Sequence, residues 1–100
     1  MQLKKYRWSR DYESAEEELH QFLAARNLTT ERWTADEFQV FQGHVHDYDK
    51  KLFCAEGSIV FEVSGQKLSL QPGDALDLPR GTEHSATAGI SGCVCYEAQL

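Results

Sequence analysis

An all-β domain, a sandwich or closed barrel carrying one helix near its N-terminus, is the fold class this sequence predicts. From residue 31 onward, short runs of β-branched and aromatic residues recur about every eight to twelve positions, with Gly or Pro turns between them. No strand–helix–strand alternation is present, which excludes a doubly wound parallel sheet. Before residue 31 the apolar spacing is that of a single amphipathic helix.

The helix comes first, over residues 14–26. Ser14 followed by Glu17 is a capping-box pattern, in which each side chain satisfies a free amide of the first turn. Ala15, Leu19, Phe22, Leu23 and Arg26 fall on one face, with the three large apolar residues as anchors. Glu13, Glu16, Glu17 and Glu18 cluster at the N-terminal end, where the helix dipole favours negative charge. Asn27 is the expected stop.

Strand candidates follow at 31–35, 37–41, 44–46, 51–55 and 58–63, the last reading Ser-Ile-Val-Phe-Glu-Val. Ser64-Gly65 is a two-residue hairpin signal. Residues 66–71 alternate Leu68 and Leu70 with polar neighbours. Pro72-Gly73 suits the centre of a type II turn. Residues 74–78, the turn Pro79-Arg80-Gly81-Thr82, and strands at 84–88 and 93–98 complete the set. Residues 1–30 thus read as an N-terminal extension of the same domain, and 31–100 as the β-barrel.

The bulk chemistry narrows the partners. A net charge of −6 over 100 residues disfavours nucleic acid and anionic membrane surfaces, which need a basic face. Lys4, Lys5, Arg7 and Arg10 are a local exception and read as a solvated edge. No run approaches the ~18 apolar residues of a membrane span. The first eight residues carry no apolar run after their charges, so they do not read as a secretory signal. Three cysteines without a regular framework point to a reducing cytoplasm. Cys54, Cys93 and Cys95 read as small buried packing residues, as free cysteines usually are.

Histidine placement carries the chemistry. In His44-Val45-His46 the two imidazoles share one face of a strand, because side chains alternate with period two. Two neutral nitrogens on one side suit a metal ion at about 2.0–2.1 Å. His84 follows the Pro79–Thr82 turn, and His20 lies on the polar side of the helix.

These positions resemble the cupin pattern. His44-Val45-His46 followed by Gly57 corresponds to its first half. Gly73, Pro79, Gly81 and His84 stand at the spacing of its second and more specific half. The resemblance covers about residues 43–88 and implies a jelly-roll or conical antiparallel barrel with ligands pointing inward. It carries His44, His46 and His84 over as ligands of a divalent transition metal: Zn, Ni, Fe or Cu. The position of the usual glutamate ligand holds Lys50, that of the final Asn holds Ala88, and that of an early Gly holds Phe38. An ammonium donates hydrogen bonds but cannot coordinate a cation.

An unbroken strand would place His44, His46, Tyr48, Lys50, Leu52 and Cys54 on one face, with Asp47 and Asp49 opposite. Three readings of the pocket stay open, in this order: three His ligands plus water; an added oxygen from Tyr48, Asp47 or Asp49; or an anion site around Lys50 without metal. Asp74 and Asp77 read as turn-stabilising. Glu83 is expected to point to solvent.

Three functions compete. The first is a metal-dependent enzyme on a small-molecule ligand, with Lys50 and Tyr48 as candidate catalytic groups. The second is a non-catalytic small-molecule or metal sensor. The third is a structural cupin with a vestigial site. A homodimer is expected, in keeping with the small cupins that this chain resembles.

Overall fold

The computed structural model describes residues 1–11 and 16–100. Its elements are β1 (Lys4–Arg7), α1 (Glu16–Ala25), β2 (Glu31–Ala35), β3 (Val40–His44), β4 (Lys50–Val63), β5 (Gln66–Leu70), β6 (Asp74–Leu78) and β7 (His84–Gln99). Every strand pairing is antiparallel, and the main path runs β1-β6-β4-β7-β2, with β5 added to β4 and β3 to β7.

The two long strands organise the barrel. The first half of β4, from Lys50 to Cys54, pairs with the end of β7, from Gln99 to Cys95. The second half, from Ile59 to Val63, pairs with the start of β7, from Ala88 to His84. Register shifts between Cys54 and Glu56 and between Gly57 and Ile59 separate the halves. Such bulges bend a strand and raise its twist, so both strands pass from one half-sheet into the other. Gly57 makes this crossing feasible: its φ is +70°, and a Cβ there would strike the Gly92 carbonyl oxygen. Residues 51–55 and 58–63 are therefore one strand, as are 84–88 and 93–98, where the sequence suggested four.

Alternation along β4 separates two cores. Leu52 and Cys54 point inward, joining Ile59, Phe61, Val63, Leu70, Leu76, Leu78 and Cys95. Phe53 and Ala55 point outward, where Leu19 and Leu23 of α1 cover them with Trp8, Ala75 and Tyr96. Phe22 packs its ring 5.9 Å from those of both Trp8 and Phe53. The helix thus seals the outer face of the barrel, as its amphipathic spacing predicts. It ends as expected: Asn27 adopts φ 53°, Leu28 N donates to Leu23 O, and Asn27 N donates to Ala24 O. The capping role of Ser14, and Glu13 and Ala15, lie outside the described residues.

Three further sequence expectations change. Residues 4–7 form β1, which pairs with β6, so the basic N-terminus is not merely a solvated edge. Arg7 makes an ion pair with buried Asp74 at 3.1 Å and donates to Pro72 O. The strand expected over 37–41 starts later, at Val40, because Phe38 takes a left-handed φ of 56° in the preceding turn. Asp77 does not stabilise a turn; it accepts from Tyr6 Oη at 3.0 Å and Lys51 Nζ at 2.9 Å, fastening β1 and β4 to β6. Asp74 does stabilise its turn, accepting from Gln71 N at 2.9 Å. Among the described residues no helix is long and apolar enough to cross a membrane.

Candidate metal centre

His44 closes β3 and stands opposite His84, the first residue of β7. His46 is not on that strand. β3 ends at His44, and His46 lies in the loop that leads to β4. The loop is nonetheless fixed. His46 O accepts from Gly81 N at 2.8 Å, and Asp49 Oδ1 accepts from Arg80 N at 2.9 Å. The Pro79–Thr82 turn, which delivers His84, thereby also holds His46 in place.

The three imidazoles converge. Ring centroids lie 4.2 Å apart for His44 and His84, 4.6 Å for His44 and His46, and 5.2 Å for His46 and His84. One nitrogen from each lies within 4.8 Å of the other two. Donors on a tetrahedral ion at about 2.05 Å sit about 3.3 Å apart, so the three nitrogens would have to draw together to hold one.

Proton positions follow from partners. His44 Nδ1 lies 2.7 Å from Gln42 O, and His84 Nδ1 lies 3.0 Å from Thr82 O. A carbonyl only accepts, so both Nδ1 atoms carry the proton and both Nε2 atoms present lone pairs. Among the described residues, His84 Nε2 is buried and has no hydrogen-bond partner. Backbone carbonyls behind ligating histidines set the tautomer and ring orientation in metal sites generally. Burial lowers the pKa of His84 against the pull of the Thr82 carbonyl, and the neighbouring His44 and Lys50 add to the lowering. His46 is lowered by burial first, then by the Lys50 ammonium and His44. Neutral imidazole is the ligand form, so the electrostatics and the tautomers agree.

Around the cluster is a cavity of about 290 Å³. Trp33, Phe41, Leu52 and Phe61 form apolar walls, and Tyr48, Lys50 and Glu97 add polar groups. Tyr48 stacks on His46 with centroids 4.8 Å apart. Lys50 is buried; its Nζ lies 3.3 Å from His46 Nε2 and 2.9 Å from Glu97 Oε2. Asp47 is exposed and Asp49 is committed to the Arg80 amide, so neither joins the three-histidine group. His20 stands apart on α1, bonded to Tyr96 Oη at 2.8 Å. Cys54, Cys93 and Cys95 are buried in the interior core and remain free thiols. Glu83 is exposed, as expected.

Glu97 is the charged pocket residue the sequence reading missed. Cys93, Cys95 and Glu97 fall on alternate positions of β7, so once the cysteines are placed inside, Glu97 must follow them. Recognising 84–99 as one strand would have found it.

The fold and site define a class: an antiparallel β-barrel with three converging histidines that could hold a metal ion. No family model matches the chain. The chain is 32% identical over 75 residues to quercetin 2,3-dioxygenase of Bacillus subtilis (strain 168), a match that covers 69% of this chain and 22% of that protein. The chain thus spans about a fifth of the length of that curated relative. Among solved structures it resembles KdgF from a Halomonas species, with TM-score 0.63, 28% identity, and coverage of 72% of this chain and 67% of that one. It also resembles a cupin-2 domain containing protein from Shewanella frigidimarina NCIMB 400, with TM-score 0.61, 25% identity, and coverage of 68% and 65%. The chain has the cupin fold and is similar in sequence to cupin proteins.

Proposed function

We propose that this cupin is a metal-dependent enzyme acting on a small molecule held in the barrel cavity, with His44, His46 and His84 as ligands of one divalent transition metal. The observation that carries the reading is His84 Nε2: a buried lone pair without a partner, facing two other imidazoles. A buried polar atom left unpaired costs about 1–3 kcal/mol, so its retention calls for an explanation that a bound cation supplies. Three nitrogen donors suit Zn, Ni, Fe or Cu, whereas Mg and Ca favour all-oxygen sites.

Bound there, the ion would supply Lewis acidity at positions left open to a ligand. The chain's own groups do the rest. Gln42 O and Thr82 O hold two rings in the ligating tautomer. Trp33, Phe41, Leu52 and Phe61 exclude water and grip an apolar body. The Tyr48 hydroxyl and the Lys50–Glu97 pair offer proton donors and an acceptor beside it. One relative, quercetin 2,3-dioxygenase, is by name an enzyme of small-molecule chemistry, while its substrate is that protein's own.

Metal analysis of protein purified without a nickel column tests the reading. About one metal per chain is expected, lost in a His44→Ala, His84→Ala variant. Any turnover found for a candidate substrate should vanish with the metal. Turnover that survives the histidine changes would overturn the enzyme reading.

A further inference from the structure

We infer that Lys50 is a built-in competitor for the third nitrogen of the histidine cluster, and that Glu97 receives its ammonium when a cation loads. The inference rests on the metal reading above and concerns how that site fills.

An ammonium only donates, so in the contact between Lys50 Nζ and His46 Nε2 at 3.3 Å the imidazole lone pair is the acceptor. His44 and His84 keep their Nε2 lone pairs clear of any such donor, with Nδ1 tied to a backbone carbonyl in each. His46 alone among the three has its lone pair covered by a cation of the protein itself. One lone pair cannot bond an N–H and a metal together. Loading therefore has to break the Lys50–His46 contact.

Lys50 is shielded, with its side chain 10% exposed, so its charge needs a partner wherever it goes. Glu97 is that partner. Its Oε2 lies 2.9 Å from Lys50 Nζ, is shielded from water, and makes no aligned hydrogen bond among the described residues. An ion pair is already in place, and unused acceptor capacity waits on the same oxygen. Glu97 reaches in from β7 at the rung opposite Leu52, one inward position along β4 from Lys50. A side-chain rotation toward Glu97 frees His46 without exposing the ammonium. The pair sets a threshold: a cation fills the site only if it bonds imidazole strongly enough to displace the ammonium. Lys50 is thus a positioning residue that selects among cations.

The test measures Zn(II) affinity by competition with a chromophoric chelator, in wild type, in Lys50→Met/Glu97→Gln, and in Glu97→Gln alone. The double change removes one positive and one negative charge, so the pocket's net charge is preserved and no orphan charge is left. It should bind Zn(II) at least tenfold more tightly than wild type, a difference of about 1.4 kcal/mol. Glu97→Gln alone should bind at least fivefold more weakly, because the displaced ammonium loses its acceptor. Equal affinity for wild type and the double variant overturns the proposal. Wild-type affinity in Glu97→Gln overturns the role of Glu97. Lys50→Leu/Glu97→Gln serves in place of the methionine variant if thermal melts show the latter unfolded. Stoichiometric, histidine-dependent binding at unchanged affinity sinks only the competition. Failure of wild type and double variant alike to bind Zn(II) through His44 and His84 sinks the metal reading, and this proposal with it.

Discussion

Replacing His84 by Leu should leave the metal-free protein at least as stable as wild type, while abolishing its response to metal. His84 is 3% exposed, its Nε2 is unpaired, and its Nδ1 donates to Thr82 O. Burying one nitrogen without a partner costs about 1–3 kcal/mol, and the single hydrogen bond returns about 0.5–1.5 kcal/mol. Leucine fills a similar volume beside Phe61, whose ring lies 6.5 Å from that of His84. The Thr82 carbonyl, in a half-buried turn, can turn to water after the change. The net expectation runs from no change to about 2 kcal/mol of added stability. Metal reverses the comparison. A ligand that binds only the folded state at a hundred times its Kd adds about 2.7 kcal/mol, and the variant forfeits this. Urea unfolding of both proteins, with chelator and with Zn(II), reads the four values. A metal-free variant more than 2 kcal/mol below wild type, with wild type itself indifferent to zinc, would refute the reasoning and make His84 an ordinary packing residue.

The pH dependence of the metal-free protein follows from the same rings. Burial holds His46 and His84 below the ordinary imidazole value of 6.5, so the unfolded chain takes protons more readily than the folded one. Their contribution is complete above that value and is lost as pH falls beneath it toward the folded pKa. Urea midpoints at about pH 7.5 and 5.5 should show the acid sample less stable, with a smaller difference in His84→Leu; a flat or inverted profile would contradict the assignment. On the outer face, Tyr96 Oη donates to Glu16 Oε1 at 2.6 Å and accepts from His20. Arg32 first and Tyr96 second hold Glu16 down to about 2. Tyr96→Phe should cost about 1–2 kcal/mol and raise the Glu16 pKa, as read by NMR titration, while metal affinity stays unchanged. An unmoved Glu16 would remove Tyr96 from that network.

Turn chemistry made most of the fold legible. Gly65 in the Ser64-Gly65 turn, Gly73 at φ 95° after Pro72, and Asn27 at the helix end all do what their residue types permit at least cost. Since the Gly73-to-His84 segment consists of one strand between two turns, its spacing fixed His84 in the pocket. His46 reached the right place for a different reason from the one the alternation supplied. The strand ends at His44, and hydrogen bonds to Arg80 and Gly81, distant in sequence, carry the loop back to the site. Tyr48 and Lys50 still line the same cavity, so the shared-face expectation survives the loss of the strand.

What the sequence hid is long-range. Residues 4–7 are too few and too polar to read as a strand alone, and only pairing with β6 makes them one. Gly57 and Gly92 look like strand breakers, yet both are points where long strands bend and continue. Splitting β7 at that point concealed the alternation that points Glu97 inward. Trp33 and Phe41 gave no sign that they would meet, with centroids 5.4 Å apart, as one wall of the cavity.

The central claim is that three imidazoles, from the end of β3, the loop after it and the start of β7, close on a single ion. Anomalous diffraction from crystals of protein never exposed to a nickel column tests it most directly. One peak bounded by the Nε2 atoms of His44, His46 and His84 is the predicted result. A native crystal with no peak there, or with the metal held by other residues, would contradict it.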